Sequence, residues 1–329
     1  MLKSLKIIKG ENMKKNLVPI LAFFMLPVAI FAYTINLGIV TTPNSFHYKA
    51  AKKFKDIVES SSHGDITVNI HHSKSVGSET SILQQLQLNA LQMGVITAGP
   101  IDKFVPTIKA IEFPFIFDSF AKADKILDGK IGQKILKNFQ SANLIGYHFL
   151  ENGFRNITNS KKPIHSASDV KGLKIRVMNS QLQIDIWKDI GANPTPMPWP
   201  IYTQLSQHVI DGQENPLAVI DQYKLYEVQK YLTLTRHVYS ALVFVGSKGF
   251  YDSLPKKYQK LLFKATKDAS IYERKLNRDK ASFFLADLKK QGMIIDEHPD
   301  LASFKEKVKP LKNRFSGKAK KYLDEILAQ

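Results

Sequence analysis

The sequence predicts an α/β fold, and three observations carry that prediction. From Tyr33 to Thr97, short alternating or apolar segments take turns with stretches of helical spacing, in the order strand–helix–strand–helix–strand. Farther on, Leu173, Ile175 and Val177 alternate with Lys174, Arg176 and Met178 behind a turn at Gly172, which is the pattern of another strand. Finally, Lys256 to Gln291 contains neither Gly nor Pro and reads as one long helix bracing two parts of the molecule. A chain of 329 residues, 44% hydrophobic and 23% charged, has room for one large domain or two ordinary ones around a real core.

Taken in order, Tyr33–Val40 alternates as a strand. Thr41-Thr42-Pro43-Asn44-Ser45 is a polar turn in which Ser45 can cap a helix to about Ser61, with Ala50, Ala51, Phe54, Ile57 and Val58 on one face. Ile66–His71 is a second strand, Ser78–Gln92 a helix, and Gly94–Thr97 a short buried strand ending in a tight Ala98-Gly99-Pro100 turn. Ligands of open α/β sheets lie beyond the C-terminal strand ends, so Thr41-Thr42 and Gly99-Pro100 are expected near a cleft. Ile111–Phe117 is dense in aromatic residues and reads as core. Two short helices, a buried strand over 142–149 and the Gly153–Asn159 segment follow. Pro163–Lys171 reads as a linker, and a helix over 180–190 ends at Gly191. A stiff four-proline stretch, Ala192–Pro200, precedes a short helix at Tyr202–Gln207. Asp211–Pro216 reads as a turn, 218–231 as helical and Val238–Val245 as a strand. Pro255 suits the start of the long helix, Gly292 its end, and a Lys-rich, mostly helical tail closes the chain.

Composition excludes several chemistries. There is no Cys, so thiol catalysis, iron–sulfur clusters, Cys-type zinc sites and disulfides are ruled out. The net charge is +18; the first 32 residues, with five Lys and one Glu, hold +4 of it, leaving +14. Such a balance draws anions from a distance. Nucleic acid is not expected, because the lysines are spread along the chain and no RNP, zinc-finger or basic-zipper pattern occurs.

The N-terminus reads as an address. Met13-Lys14-Lys15 is basic, Leu17 to Ile30 is apolar with Pro19 and Pro27, and Ala29-Ile30-Phe31-Ala32 ends on a small residue. This fits a secretory signal peptide cut near Ala32–Tyr33, and the run is short for a membrane span. Met13 is a better start than Met1, so residues 1–12 read as an over-extended frame. The expectation is an exported, soluble mature protein.

Arginine is scarce: of 47 Lys+Arg only six are Arg, at 155, 176, 236, 274, 278 and 314. Lysine covers the surface, so an arginine in an ordered strand has a specific task. Its planar fork either closes an ion pair within the protein or accepts a ligand carboxylate, and for Arg176 both readings stand.

Four blocks in register carry a resemblance: Gly153-Phe154-Arg155-Asn156-Ile157-Thr158-Asn159; Asp169 through Val177; Gly191-Ala192-Asn193-Pro194-Thr195-Pro196-Met197; and Asp211-Gly212-Gln213-Glu214-Asn215-Pro216. Together they resemble the solute-binding proteins of TRAP transporters, the DctP family. The similarity extends from Ser45–Ala51 and Gly77–Gln92 to Tyr226–Leu232, essentially the whole mature chain. It implies a two-lobed, periplasmic-binding-protein-like α/β fold with a long domain-spanning helix and a ligand cleft between lobes. Domain I would be 33–152 plus 241–281, and domain II 153–240 plus 282–329, behind a signal peptide at 1–32. It further implies a periplasmic, monomeric receptor, not an enzyme, with no cofactor or metal, that closes on a small organic acid and delivers it to TRAP membrane permease subunits. Arg176 matches the arginine that forks the ligand carboxylate, Arg155 a supporting arginine and Asn215 an asparagine on the same carboxylate. Asn179 and Trp199 match pocket-lining positions, and Glu79, Thr41 and the Thr97–Pro100 turn, with Gly99, first-domain contributors.

The chain departs from the family pattern in three places. It is one residue shorter between Met197 and Tyr202, where a Glu is common. His208 stands where Gly is usual. Gly99 stands near an acidic residue of sialic-acid-binding members, which favours a smaller acid. C4-dicarboxylates, other hydroxy or keto acids and sugar acids stay open. A sensory receptor for a membrane kinase, using the same fold, is one alternative. A periplasmic enzyme is another, but HExxH, GxSxG, Walker A and GxGxxG are absent. His71-His72 are adjacent in a strand and face opposite ways, and Asp211 with Glu214 reads as part of a turn rather than an acid–base couple.

Overall fold

The computed structural model describes residues 33–329. The segment read as a signal peptide, its cleavage point and the Met13 start lie outside the described residues.

Nine strands form one mixed sheet. They are β1 (Tyr33–Gly38), β2 (Ile66–His71), β3 (Met93–Thr97), β4 (Leu144–Asn159), β5 (Lys174–Val177), β6 (Asn193–Pro196), β7 (Gly212–Asn215), β8 (Tyr231–Ser247) and β9 (Ile294–Asp296). Their order is β2-β1-β3-β8-β4-β7-β5-β6, with β9 on β8. β1 pairs in parallel with both β2 and β3. Parallel neighbours require crossovers, here the helices Phe46–Ser61, capped by Ser45 as the sequence predicts, and Glu79–Gln87, which is shorter than the expected 78–92 helix and is capped by Ser78. Ser45 accepts from the Tyr48 N–H and Ser78 from the Ser81 N–H. Ala50, Ala51, Phe54 and Val58 are fully buried against this half of the sheet. A second parallel group, β7-β5-β6, is built the same way, its helix Gln181–Ile190 ending at a left-handed Gly191.

What joins the two groups is the feature least visible in the sequence. β4 and β8 run antiparallel over their whole length, from Leu144 opposite Ser247 to Asn159 opposite Tyr231. β3 adds to the 242–246 end of β8, and β7 to the 156–159 end of β4. The result is a two-lobed α/β fold with both lobes hung on the same pair of strands. The sequence broke each of these strands into pieces, for a physical reason. Register shifts fall between Gly146 and Phe149, Glu151 and Gly153, and Arg155 and Ile157, and a bulge inverts the side-chain alternation. Gly153 (φ 112°) and Arg236 (φ 45°) bend the backbone through the left-handed region. Arg155, Asn156, Thr158, Thr233, Thr235 and His237 are all buried, so the strands look polar where they are innermost.

Three other expectations are corrected. Asp211–Pro216 is not a turn: Gly212–Asn215 is the inner strand β7, and Gly212 lets its backbone press on β4, where a Cβ would lie 2.3 Å from the Thr158 carbonyl oxygen. The 218–231 helix shrinks to Leu217–Gln222, followed by a 3-10 turn at Leu225–Glu227 and the start of β8. The long helix is two: Lys256–Asp279 and Ala281–Lys290, parted at Lys280. The break has no Gly or Pro to announce it. It follows from packing, since Leu262, Ala265 and Ala269 sit in the cluster of Phe54 and Phe244, whereas Leu288 sits in a different cluster with Ile201, Leu205 and Ile210. Arg274 and Arg278 tie the first segment down. Arg274 reaches Asp128 at 2.6 Å and Asp124 at 3.1 Å, while Arg278 reaches Asp124 at 2.7 Å and Glu151 at 2.6 Å. The aromatic segment is core as expected, with Ile111, Phe113, Ile116 and Phe117 buried.

Candidate functional site

The ends of β1, β3, β5 and β7 converge on a narrow cleft of about 40 Å³ that opens to solvent. Six of the eight residues expected at a site line it: Thr41, Glu79, Arg155, Arg176, Trp199 and Asn215. Two do not. Asn179 sits outside the lining, its Oδ1 accepting from Lys103 Nζ at 2.8 Å. Gly99 is buried behind Met178, whose Cε lies 2.9 Å from where a Cβ would be. The Ala98–Ile101 segment is a helical turn rather than an open loop, which moves the position away from the cleft. Besides apolar wall residues, three lining residues with polar groups were missed: His47, Asn152 and Tyr223. His47 lies within the Ser45–Ala51 block and Asn152 immediately before Gly153, but a single polar residue in a helix or strand has no periodic signature.

The two strand arginines have opposite circumstances. Arg155 on β4 is fully buried and forks onto Glu214 of β7, with Nη2 2.8 Å from Oε1 and Nε bonded to Oε2. Its Nη2 also donates to Asn215 Oδ1 at 3.1 Å and its Nη1 to Ser240 Oγ at 3.3 Å. His237 Nε2 lies 3.3 Å from the same carboxylate. Burial alone would raise the Glu214 pKa, but the Arg155 charge and the bonds from His237 and Arg155 bring it down to about 2. The charge of Arg155 is therefore answered inside the protein.

Arg176, at the centre of β5, is only 3% exposed and is not answered. Its Nε donates to the Met197 carbonyl oxygen at 2.9 Å, and its Nη2 to the same oxygen. Trp199 stands 5.9 Å from its guanidinium and meets Tyr223 edge-on at 4.6 Å. Among the described residues no carboxylate comes within ion-pair distance of Arg176. Arg236, which also lacks one, lies exposed over the Phe154 ring at 4.1 Å. Burial lowers the Arg176 pKa to about 10; the nearby Arg155 charge adds to the effect, and Glu214 and Glu79 oppose it. A guanidinium remains protonated even so. Asn215 is held from both sides, by Arg155 and through its Nδ2 to Gln213 Oε1 at 2.5 Å.

The opposite wall comes from the first group of strands. Glu79 caps β3, its Oε1 accepting from the Thr97 N–H at 2.7 Å. Thr41 Oγ1 accepts from Ser45 Oγ at 2.8 Å. Three bonds cross from wall to wall around the cleft: Thr42 N–H to Tyr223 Oη at 3.0 Å, Ser180 Oγ to Asp102 at 2.6 Å, and Gln183 Nε2 to Glu112 at 3.2 Å. Burial pushes the Glu112 carboxyl up to about 8. The sign of the consequence is fixed. Unfolded, Glu112 releases its proton near its ordinary value of 4.5, but folded it keeps it until about 8, so its contribution to stability falls as pH rises through that window. Glu112→Gln, which cannot titrate, is expected to flatten the decline in urea midpoint between those pH values; an unchanged slope would show that Glu112 is not its source.

Two features bear on the departures noted in the sequence. His208 adopts φ 56°, the left-handed conformation in which glycine is easiest, so a glycine is the unstrained residue at this position. His71 and His72 point to different partners, Asn36 and Ser73. Among the described residues no group of three or more His, Asp or Glu side chains is placed to hold a metal ion, and no helix is long and apolar enough to cross a membrane.

Known proteins share this architecture. The family described as bacterial extracellular solute-binding protein, family 7 (DctP), matches residues 37–318. A solute-binding protein of Verminephrobacter eiseniae is 35% identical over 284 residues, 86% of this chain and 84% of the relative. The 2,3-diketo-L-gulonate-binding periplasmic protein YiaO of Escherichia coli is 31% identical over 277 residues, 84% of each chain. Among solved structures, a TRAP periplasmic solute-binding protein of Polaromonas bound to D-erythronate superposes with a TM-score of 0.86 at 36% identity, covering 90% of this chain and 97% of that one. The sugar acid binding protein DctPAm of Advenella mimigardefordensis, in complex with galactonate, gives 0.85 at 33% identity, with 90% and 96% covered.

Proposed function

The chain belongs to family 7 of the bacterial extracellular solute-binding proteins, the DctP receptors of TRAP transporters, and from that premise we propose that Arg176 is the anchor for its ligand's carboxylate. Receptors of this family take up small organic acids and work with TRAP permease subunits, and this chain is such a receptor. The observation that carries the role of Arg176 is its buried, unanswered charge. Holding a cation out of water costs several kcal/mol unless an anion joins it, and the fork of a guanidinium fits a carboxylate with two charge-assisted bonds. Arg155, already paired with Glu214, acts at one remove by fixing Asn215. Asn215, Trp199, Thr41 and Glu79 complete the lining.

We divide the lobes at 152/153 and 240/241, and after residue 281. Closure then depends on ligand contacts that only the shut form makes from both lobes, helped by the Thr42–Tyr223, Asp102–Ser180 and Glu112–Gln183 bonds. In this reading the protein is exported behind a signal peptide cut near Ala32, acts as a monomer and performs no chemistry on its ligand. The acids named for its structural neighbours, D-erythronate and galactonate, are the first candidates. A thermal-shift screen of organic acids, run beside a turnover assay, tests the proposal. The expected result is stabilisation by at least one acid with no product formed. Turnover, or no shift with any acid, would oppose it.

A further inference from the structure

Resting on the reading of Arg176 as carboxylate anchor, we propose that the cleft selects an acid with a single carboxylate and an uncharged, polyhydroxylated remainder, and that His47 and Asn152 read its hydroxyls. Two independent observations lead there.

The first is the charge of the lining. It contains two arginines, and Arg155 is answered by Glu214, which leaves Arg176 as the one open cation among the described lining residues. His47 does not supply a second. Burial takes its pKa down to about 4, with Asn152 beside it only partly opposing, so the imidazole is neutral at neutral pH. The one acid on the lining is Glu79. A second ligand carboxylate would thus be buried without a counter-charge and in the company of another carboxyl, an arrangement that proteins avoid.

The second is a pair of unmet hydrogen-bonding atoms. His47 is 7% exposed and Asn152 5% exposed. His47 Nδ1 and Asn152 Oδ1 are buried and make no bond of good geometry, although the Asn152 amide lies close enough to the imidazole for a weak one. Trp199 Nε1 is buried without a partner, and all three residues line the cleft. Buried polar atoms are normally satisfied, so an unmet one at a cleft marks where a ligand atom belongs. A hydroxyl is suited to this place because it donates and accepts at once: it can accept a hydrogen bond from one neighbour and donate one to the Asn152 oxygen. A methylene there would leave the two with no more than their weak mutual contact. Ile39, Val40, Val95 and Leu242 offer the apolar surface against which the C–H face of such a molecule lies.

Calorimetric titration of the full-length protein at neutral pH tests this with D-erythronate, D-galactonate and D-galacturonate as polyhydroxylated monoacids. Galactarate adds a second carboxylate to the galactonate frame, succinate is a plain diacid, and hexanoate lacks hydroxyls. At least one polyhydroxylated monoacid is expected to bind about tenfold or more tightly than galactarate, succinate and hexanoate, the size set by one unmet buried hydrogen bond. His47→Leu and Asn152→Leu are each expected to lose about tenfold for that acid and to narrow its lead over hexanoate. His47→Gln, which keeps a donor and an acceptor, should retain part of the affinity, and melting curves without ligand verify that all three variants fold. Equal or tighter binding of a diacid overturns the inference, as does undiminished preference for hydroxylated acids in His47→Leu. If no acid binds, or binding survives Arg176→Lys unchanged, the reading of the anchor falls as well; if binding needs Arg176 but diacids match monoacids, this inference alone falls.

Discussion

Arg176→Lys is expected to weaken organic-acid binding by at least about tenfold, although it preserves the formal charge. Three losses add up. An ammonium is a point charge and cannot hold both oxygens of a carboxylate in one plane. It sheds its proton when desolvated, as a group at 3% exposure is. It also cannot reproduce the pair of bonds by which Arg176 is braced on the Met197 carbonyl, so the head group loses its aim. Arg176→Met should go further and abolish the thermal shift given by the ligand. Because the charge it deletes has no partner in the protein, this variant should not lower the melting temperature of the unliganded protein appreciably. Calorimetric titration of the folded variants measures the effect; an affinity equal to that of the parent would remove Arg176 from the site.

The opposite outcome is expected one strand away. Glu214→Gln takes the carboxylate from beneath Arg155 and His237, where all three side chains are fully buried. Removing one partner of a buried pair typically costs roughly 3–5 kcal/mol, or a fall in melting temperature of roughly 5–8 °C for a protein of this size. Replacing both partners, as in Arg155→Met with Glu214→Met, should recover a good part of the loss. pH offers a second check. The folded pKa of Glu214, about 2, lies below its ordinary value of 4.5. Its contribution to stability is therefore complete above 4.5 and is lost as pH falls through about 2. The parent should show that acid-side loss, and Glu214→Gln should not. A melting temperature within a degree or two of the parent would mean that the pair is not a structural keystone.

These two arginines also show what a sequence can and cannot convey. Both were legible as exceptional, since arginine is rare here and each sits in an ordered segment. Which one was spent internally was not legible, because that depends on β7 lying beside β4, and β7 itself looked like a turn. Gly212 and Pro216 carry the local turn signal. The opposing influence is long-range: the backbone of Thr158 comes so close that only glycine fits. The first parallel unit and its Ser45 cap were readable, because they follow from side-chain period and local hydrogen bonding. β4 and β8 were readable only in fragments, since bulges reset their period and their innermost residues are polar. Asn179 and Gly99 were misplaced for a related reason. Position in a motif gives the neighbourhood of a side chain, whereas its direction is set by contacts such as those with Lys103 and Met178. His47 and Asn152 had no local signal at all.

The central place of β8 has a consequence for how the protein is made. It lies between β3 and β4 in the sheet yet follows both in the chain, beginning only at Tyr231. A nascent polypeptide that has emerged as far as β7 therefore has its first three strands complete but nothing to dock them against. The β2-β1-β3 group can join the rest of the sheet only when this late segment slots between β3 and β4. Contacts between such distant segments slow the search for the native state. The sheet is thus completed by a pairing between segments far apart in the sequence, and its assembly is expected to be slow for that reason.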